Sequence, residues 1–173
     1  HSDTTYLKRP PAATMLLAQE VPPVGGDTLF ASQAAAYEAL SNGMKALLAR
    51  LRAVNSSAKA NFVRTSMSDD PETQAFDAVH PVVRTHPETG AKALYVNPGH
   101  TVHFEGMTEA ESAPILDFLF EHQKQEIFTC RVRWGAGTLV IWDNRASLHL
   151  PLNDYHGHRR EMHRITLKGD VPV

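Results

Sequence analysis

The sequence predicts a mainly β fold with a few inserted helices. Short apolar segments recur along the 173-residue chain between turns rich in glycine and proline, and only a few segments show helical spacing. The length and the 42% share of hydrophobic residues suit one core rather than two. Short, mostly antiparallel strands of this kind indicate a double-sheet fold, and the jelly roll is the one that commonly holds a metal in its mouth. We expect a single domain over residues 1–173.

Turn residues mark the ends of the predicted strands. A strand over 14–21 lies between two Pro-Pro pairs, and the turn at 24–27 leads into a short strand over 28–30. Residues 55–77 show no periodicity, which predicts a long loop. The remaining predicted strands are a hairpin pair over 79–85 and 93–97, followed by 128–134, 138–142 and 160–168.

Capping residues mark the predicted helices. Ser32 precedes an alanine-rich helix over 33–40, and a second helix is predicted over 44–51. Thr108 and Glu111 have the spacing of a capping box at the start of a third helix. That helix should pack on a sheet, because it carries an apolar stripe at helical spacing formed by Ile115, Leu116, Leu119 and Phe120.

Charge and cysteine content restrict the function classes. The formal charge of -2 and the scattered Lys and Arg residues argue against nucleic acid as a partner. No apolar run is long enough to cross a membrane. The single Cys130 cannot form an internal disulfide, and its neighbours alternate as in a buried strand, so we expect a reducing, cytoplasmic location. A homo-oligomer remains compatible with the sequence.

The opening residues suggest a metal site. In an extended segment His1 and Asp3 share one face, so an imidazole and a carboxylate can meet one ion. With a second histidine they would occupy one face of an octahedron and leave three positions open, as in ferrous oxygenases. By itself, His-x-Asp is a weak signal and more often describes an exposed terminal histidine beside a capping aspartate. An N-terminal histidine could also chelate copper as in secreted monooxygenases, but the lone cysteine argues against an exported protein.

Several longer motifs carry a family resemblance. They are HSDTTYLKRPP at the start, GGDTLF at 25–30, HPVVRTHPETG at 80–90, and the later WDNR and RREMHR. Together they resemble the taurine catabolism dioxygenase (TauD/TfdA) family of iron(II)- and 2-oxoglutarate-dependent dioxygenases. The resemblance implies the cupin-like double-stranded β-helix, or jelly roll, as the fold, together with iron(II), 2-oxoglutarate and O2. Because the chain opens on the metal motif without a preceding strand, we expect the N-terminal part of the family's fold to be absent from it.

The resemblance also implies ligand roles for particular residues. His1, Asp3 and His149 match the family's iron ligands. Thr28 and Arg160 match the pair that holds the distal carboxylate of 2-oxoglutarate. This agrees with the chemistry of the two side chains, because a guanidinium offers a planar fork to a carboxylate and a hydroxyl adds another donor.

The implied substrate site centres on Arg164. It follows Arg160 by four residues, so strand alternation places both on one face about 13 Å apart. The matching arginine of taurine enzymes meets a sulfonate, which implies an anionic substrate; the alternative is an ordinary surface cation. Thr4 and Tyr6 match pocket-lining positions, or else pack within a strand. His100 replaces an aromatic residue of the taurine enzymes, which leaves open a different substrate or a partly solvated loop position. Asn61 or Phe62 is expected to line the same pocket.

Other histidines are expected to have structural or surface roles. We expect Trp142 to Arg145 to shape the turn that delivers His149, and His163 to lie in or next to the core. His80, His86, His156 and His158 are expected to face solvent. The predicted function is hydroxylation of a small anionic substrate, with succinate and CO2 as products: taurine or a related alkylsulfonate (releasing sulfite), or alternatively a sulfate ester or aryloxyalkanoate. An alternative of another class is an inactive jelly-roll binding module.

Overall fold

The computed structural model describes residues 1–59 and 76–173, and this part of the chain is mainly β, as predicted. Its helices are α1 (Gln33–Glu38), α2 (Asn42–Leu48), α3 (Glu109–His122) and a 3-10 turn (Glu126–Phe128). Its strands are β1 (Ala13–Glu20), β2 (Thr28–Ser32), β3 (Arg52–Ser56), β4 (Asp77–Pro81), β5 (Val83–Thr85), β6 (Lys92–Leu94), β7 (Thr101–Phe104), β8 (Thr129–Val132), β9 (Leu139–Asp143), β10 (Ser147–Pro151) and β11 (Glu161–Leu167).

Two antiparallel sheets surround the candidate site. One has the order β11-β1-β9 and the other β10-β2-β8. In the first sheet Leu16 pairs with both Arg164 and Val140, and in the second His149 pairs with Phe30. The Trp142 ring of the first sheet lies 5.3 Å from the Phe30 ring and 5.1 Å from the His149 ring of the second. These aromatic contacts pack the two sheets together beside His149.

A separate set of elements forms the hydrophobic core. The strands β4-β3-β7 and the hairpin β5-β6 lie with α1, α2 and α3 around one buried cluster. As predicted, α3 packs its apolar stripe inward, with Leu116 and Leu119 fully buried. The buried cluster consists of Ala36, Tyr37, Leu40, Leu48, Ala53, Val82, Val83, Leu94, Val96, Phe104, Leu116 and Leu119.

The helix starts are confirmed by their caps. The Ser32 side chain accepts a hydrogen bond from the Ala35 N–H, and Thr108 forms both halves of the capping box with Glu111. The second helix starts two residues earlier than predicted, because the Ser41 hydroxyl accepts from the N–H of Met44. Among the described residues, none of the helices is long and apolar enough to cross a membrane.

Some predicted strands need correction. The strand predicted over 79–85 is two strands: β4 pairs with β3, whereas β5 pairs with β6. The strands β3, β7 and β10 were not predicted, because their short segments mix polar and apolar residues. The long loop predicted over 55–77 begins inside β3. Asn61 and Phe62 lie outside the described residues.

Four predicted environments were wrong. Cys130 is exposed, and so is Arg131 on the opposite face of β8, so the described part of the chain buries neither face of this strand at that point. His80 and His86 are buried rather than solvent-facing. Nε2 of His80 lies 3.0 Å from the Leu7 carbonyl, and Nε2 of His86 lies 3.0 Å from Oδ2 of Asp143. His163 is exposed rather than in the core, because it shares a face of β11 with Ile165 and Leu167, which are exposed as well. His156 and His158 are exposed, as predicted.

Candidate metal centre and active site

Three predicted ligands converge from opposite ends of the chain. His1 lies beside β10, because its backbone N–H and C=O both pair with His149 at 2.9 Å. The Asp3 Oδ1 atom lies 3.6 Å from Nε2 of His1 and 3.7 Å from Nε2 of His149. One ligand atom from each residue lies within 4.8 Å of the others. Since bonds from nitrogen and oxygen ligands to a transition metal are about 2.0–2.2 Å long, one ion can reach all three atoms.

The donor chemistry of this cluster fits a divalent transition metal. Two imidazoles and one carboxylate are the ligand set of non-haem iron(II) sites with open positions. The carboxylate of Asp3 is only 4% exposed, so it needs positive partners to remain charged. Burial acts to raise the pKa of Asp3, but His1, His149, Thr14 and Arg164 together hold it well below its usual range. The site therefore presents an ionised carboxylate at neutral pH.

Both buried imidazoles next to this carboxylate are neutral. Burial, and after it the electrostatic effect of His1, lowers the pKa of His149 to about 4. The pKa of His100 is also lowered to about 4, first by burial and then by His1. A neutral imidazole has a free lone pair, which metal coordination requires.

The second oxygen of Asp3 is held by hydrogen bonds. Oδ2 accepts from the Thr14 hydroxyl at 2.8 Å and from Nη2 of Arg164 at 2.5 Å. The Thr14 hydroxyl in turn accepts from Nδ2 of Asn144 at 2.8 Å, and Oδ1 of Asn144 accepts from the Trp142 indole at 2.9 Å. The two carboxylate oxygens therefore have different roles: Oδ2 faces protein donors and Oδ1 faces the imidazoles.

The residues matched to 2-oxoglutarate binding meet at one indole. Thr28 is buried, and its hydroxyl accepts from Nε1 of Trp134 at 3.0 Å. The Arg160 guanidinium lies 5.8 Å from the Trp134 ring and 5.9 Å from the Tyr155 ring. Its Nε and Nη2 are buried and have no hydrogen-bond partner among the described residues. Two unpaired guanidinium nitrogens fit the carboxylate of a bound anion.

A glycine makes room for this arginine. Gly26 has φ +72, a conformation that residues with a side chain rarely adopt. A Cβ at this position would lie 3.2 Å from Cδ of Arg160 and 3.3 Å from a ring carbon of Tyr155. The GGDT turn therefore serves the site twice, through Thr28 and through the space left at Gly26.

Arg164 borders an open cavity of about 430 Å³ whose lining includes Asp3, Thr4, Arg9, Thr166 and Lys168. Its side chain is 49% exposed, so it can contact Asp3 and a molecule in the cavity at the same time. Three cationic side chains around this cavity favour an anionic occupant. A second cavity, of about 470 Å³ and mainly apolar, is lined in part by His1 and His149.

The two aromatic residues predicted for the substrate pocket, Tyr6 and His100, lie close to His1. The His100 ring lies 5.9 Å from the His1 ring and 5.1 Å from the Tyr6 ring, edge-on in both cases. His100 is buried, with Nδ1 3.1 Å from the Thr5 hydroxyl, so it is not a solvated loop residue. Thr4 has φ +43, which is unusual for a β-branched residue and occurs directly after Asp3, one of the three predicted ligands.

Ion pairs that the sequence did not predict join two turns behind the site. Nε2 of His86 lies 3.0 Å from Oδ2 of Asp143, and Arg145 contacts both Asp143, at 2.7 Å, and Glu88, at 2.9 Å. Burial acts to raise the pKa of Asp143, but the hydrogen bonds from Arg145 and His86 lower it to about 2. Both turns belong to motifs that carried the resemblance, yet their pairing across 57 residues has no local signal.

Comparison with known proteins identifies the family. The family described as "Taurine catabolism dioxygenase TauD, TfdA family" matches residues 1–166. The chain belongs to this family. A taurine dioxygenase from Burkholderia xenovorans superposes with a TM-score of 0.87 at 39% identity, covering 100% of this chain and 57% of its own.

Two relatives show the range of substrates named within the family. An alpha-ketoglutarate-dependent sulfate ester dioxygenase of Pseudomonas putida is 35% identical over 100% of this chain and 60% of its own length. An alpha-ketoglutarate-dependent 2,4-dichlorophenoxyacetate dioxygenase of Cupriavidus pinatubonensis is 37% identical over 100% of this chain and 61% of its own length. The chain spans about half to three fifths of the length of the curated relatives it matches.

Proposed function

We propose that this protein is an iron(II)- and 2-oxoglutarate-dependent dioxygenase with a jelly-roll fold that hydroxylates a small anionic substrate. The observation that carries the proposal is the convergence of His1, Asp3 and His149, whose ligand atoms lie within 4.8 Å of one another. These three residues would hold iron(II). Bound iron, with 2-oxoglutarate and O2, supplies the oxidation of a carbon–hydrogen bond to an alcohol, with succinate and CO2 as the other products.

The protein's own residues bind and orient the co-substrate. Arg160 would pair its unpartnered Nε and Nη2 with the distal carboxylate of 2-oxoglutarate, and the Thr28 hydroxyl would donate to the same group. Because Trp134 contacts both side chains, it sets the distance between the two donors. The co-substrate would thus be fixed at its far end, which leaves its keto acid end to reach the metal.

The substrate would dock its anionic end at Arg164, in the cavity that Arg9 and Lys168 also line. Taurine or a related alkylsulfonate is the first candidate, and hydroxylation beside its sulfonate gives an unstable product that releases sulfite and, from taurine, aminoacetaldehyde. A sulfate ester and an aryloxyalkanoate are the alternatives, in keeping with the names of the two relatives. A positive charge alone does not discriminate among these anions, so the shape around Tyr6 and His100 would decide.

The proposal is tested by succinate formation from 2-oxoglutarate. The protein is assayed with iron(II) and, in turn, taurine, alkylsulfonates, alkyl sulfates and aryloxyalkanoates. We expect turnover with one class of anion and its loss, by at least a hundredfold, in Asp3→Ala, because two imidazoles alone hold the metal weakly. Asp117→Ala, on the exposed face of α3, is the matched control and should retain full activity.

Two outcomes would contradict the proposal. Turnover that survives Asp3→Ala would remove Asp3 from the metal site. Binding of 2-oxoglutarate and of an anion, without succinate under any condition, would instead indicate a jelly-roll binding module.

A further inference from the structure

We propose that Thr14 and Asn144 are positioning residues that turn the Asp3 carboxylate so that one chosen oxygen faces the metal. The inference rests on the metal site proposed above and concerns which oxygen of Asp3 serves as its ligand. In the described part of the chain, neither residue forms a hydrogen bond with His1 or His149. Their role follows from a chain of hydrogen bonds that runs from an indole to a carboxylate.

The direction of each hydrogen bond in this chain is determined by the first donor. The Trp142 indole nitrogen can only donate, so the atom of Asn144 that it meets at 2.9 Å must be the amide oxygen. The amide nitrogen of Asn144 then faces Thr14 and donates to its hydroxyl at 2.8 Å. The hydroxyl has a single proton, and its oxygen already accepts, so that proton is directed to Oδ2 of Asp3 at 2.8 Å.

The consequence for Asp3 is geometric. With Oδ2 engaged by the hydroxyl, Oδ1 is the oxygen that remains 3.6 and 3.7 Å from the two imidazole nitrogens. A carboxylate free to rotate about its Cβ–Cγ bond could instead present either oxygen, or both. The chain thereby favours a single oxygen ligand and keeps coordination positions available for other molecules.

Arg164 also donates to Oδ2, but it cannot replace this chain. Its side chain is half-exposed and borders the cavity assigned to the anionic substrate, so its charge is shared with whatever binds there. Thr14 and Asn144 are fully buried, which isolates their hydrogen bonds from solvent and from substrate. Their hold on Asp3 therefore persists through a catalytic cycle.

The test measures Mn(II) affinity by the electron paramagnetic resonance signal of free Mn(II), without any turnover. Thr14→Val removes the hydroxyl while keeping the shape of the side chain, and Thr14→Ser keeps the hydroxyl. We expect Thr14→Val to weaken Mn(II) binding by about ten- to a hundredfold, the range for lost outer hydrogen bonds to metal ligands. Thr14→Ser should stay within about threefold of the unmodified protein, and circular dichroism should show both variants folded.

Each other result overturns the inference in a distinguishable way. If the unmodified protein does not bind Mn(II), the metal site proposed above fails, and the inference fails with it. If it binds Mn(II) and Thr14→Val binds equally well, only the positioning role fails. Equal weakening in Thr14→Ser and Thr14→Val would assign the effect to disturbed packing at this position rather than to the hydroxyl, because only one of the two variants lacks the hydroxyl. If Thr14→Val and Thr14→Ala both fail to fold while Thr14→Ser folds, the hydroxyl serves folding rather than Asp3.

Discussion

At the scale of single residues, two arginines of the candidate site differ in whether their guanidinium nitrogens have hydrogen-bond partners. Buried donors are normally paired, since an unpaired one costs about 1–3 kcal/mol and more when it is charged. Arg160 keeps two buried nitrogens without a partner among residues 1–59 and 76–173, whereas Arg164 is already paired with Asp3. The two arginines are four residues apart but differ in their partners. Among the described residues, Arg160 has free donors for an added anion, whereas Arg164 already donates to the carboxylate of Asp3.

The free donors of Arg160 predict that replacing its guanidinium by an ammonium group raises the KM for 2-oxoglutarate. Arg160→Lys keeps the positive charge but loses the paired donors, so we expect the KM for 2-oxoglutarate to rise by about ten- to a hundredfold, as for the loss of one charge-assisted hydrogen bond. Arg159→Lys is the matched control, because the neighbouring Arg159 is exposed and pairs with Glu20 and Glu161. Initial rates at saturating iron(II) and substrate measure both. An unchanged KM in Arg160→Lys would remove this arginine from the co-substrate site.

At the scale of elements, two turns position the strand that carries the predicted ligand His149. The turn after β9 runs into β10, which carries His149, and the turn after β5 lies against it through His86 and Glu88. Asp143 lies at the centre of this contact and accepts from both His86 and Arg145. The position of β10 relative to the hairpin β5-β6 thus depends on one carboxylate.

Removing that carboxylate's charge should change stability in a pH-dependent way. The folded-state pKa of Asp143 is about 2, below the value of about 3.9 for an unfolded chain. Its charged contacts therefore stabilise the fold fully above pH 4 and progressively less as the pH falls towards 2. We expect the melting temperature of Asp143→Asn to lie below that of the unmodified protein at pH 7, with the difference shrinking below pH 4. Asp117→Asn is the control; a difference independent of pH would contradict this assignment.

For the whole molecule, local signals and distant contacts were not equally predictable. Caps such as Ser32 and Thr108 were correct, because their hydrogen bonds join residues three apart in sequence. The strand β3 was missed, because its buried Asn55 is satisfied by Thr101, 46 residues away. In the site, the family motifs predicted three ligands, and the structure brings those three side chains together. The chain of hydrogen bonds behind Asp3 joins segments 130 residues apart, and no sequence periodicity indicates it.

Contacts between residues far apart in sequence also hold the C-terminal segment against the rest of the protein. Arg84, in β5, is 1% exposed and pairs with Asp170 at 2.7 Å while lying 4.9 Å from the Tyr95 ring. Nearby, the Thr85 N–H donates to the Val173 carbonyl at 2.7 Å. Nε and Nη1 of Arg84 have no hydrogen-bond partner in the described part of the chain. Asp170 is therefore the main group that compensates the buried charge of Arg84.

Asp170→Asn should therefore destabilise the protein far more than its position near the end of the sequence suggests. We expect the free energy of unfolding in urea to fall by about 2–3 kcal/mol, less than for a fully buried pair because Asp170 is partly exposed. Mn(II) affinity should stay within about threefold, since the pair lies outside the metal ligands and their hydrogen-bond partners. Asp117→Asn should cost less than about 0.5 kcal/mol. Equal stability of the two variants would show that water compensates Arg84, and that the terminal segment is held by its backbone contacts alone.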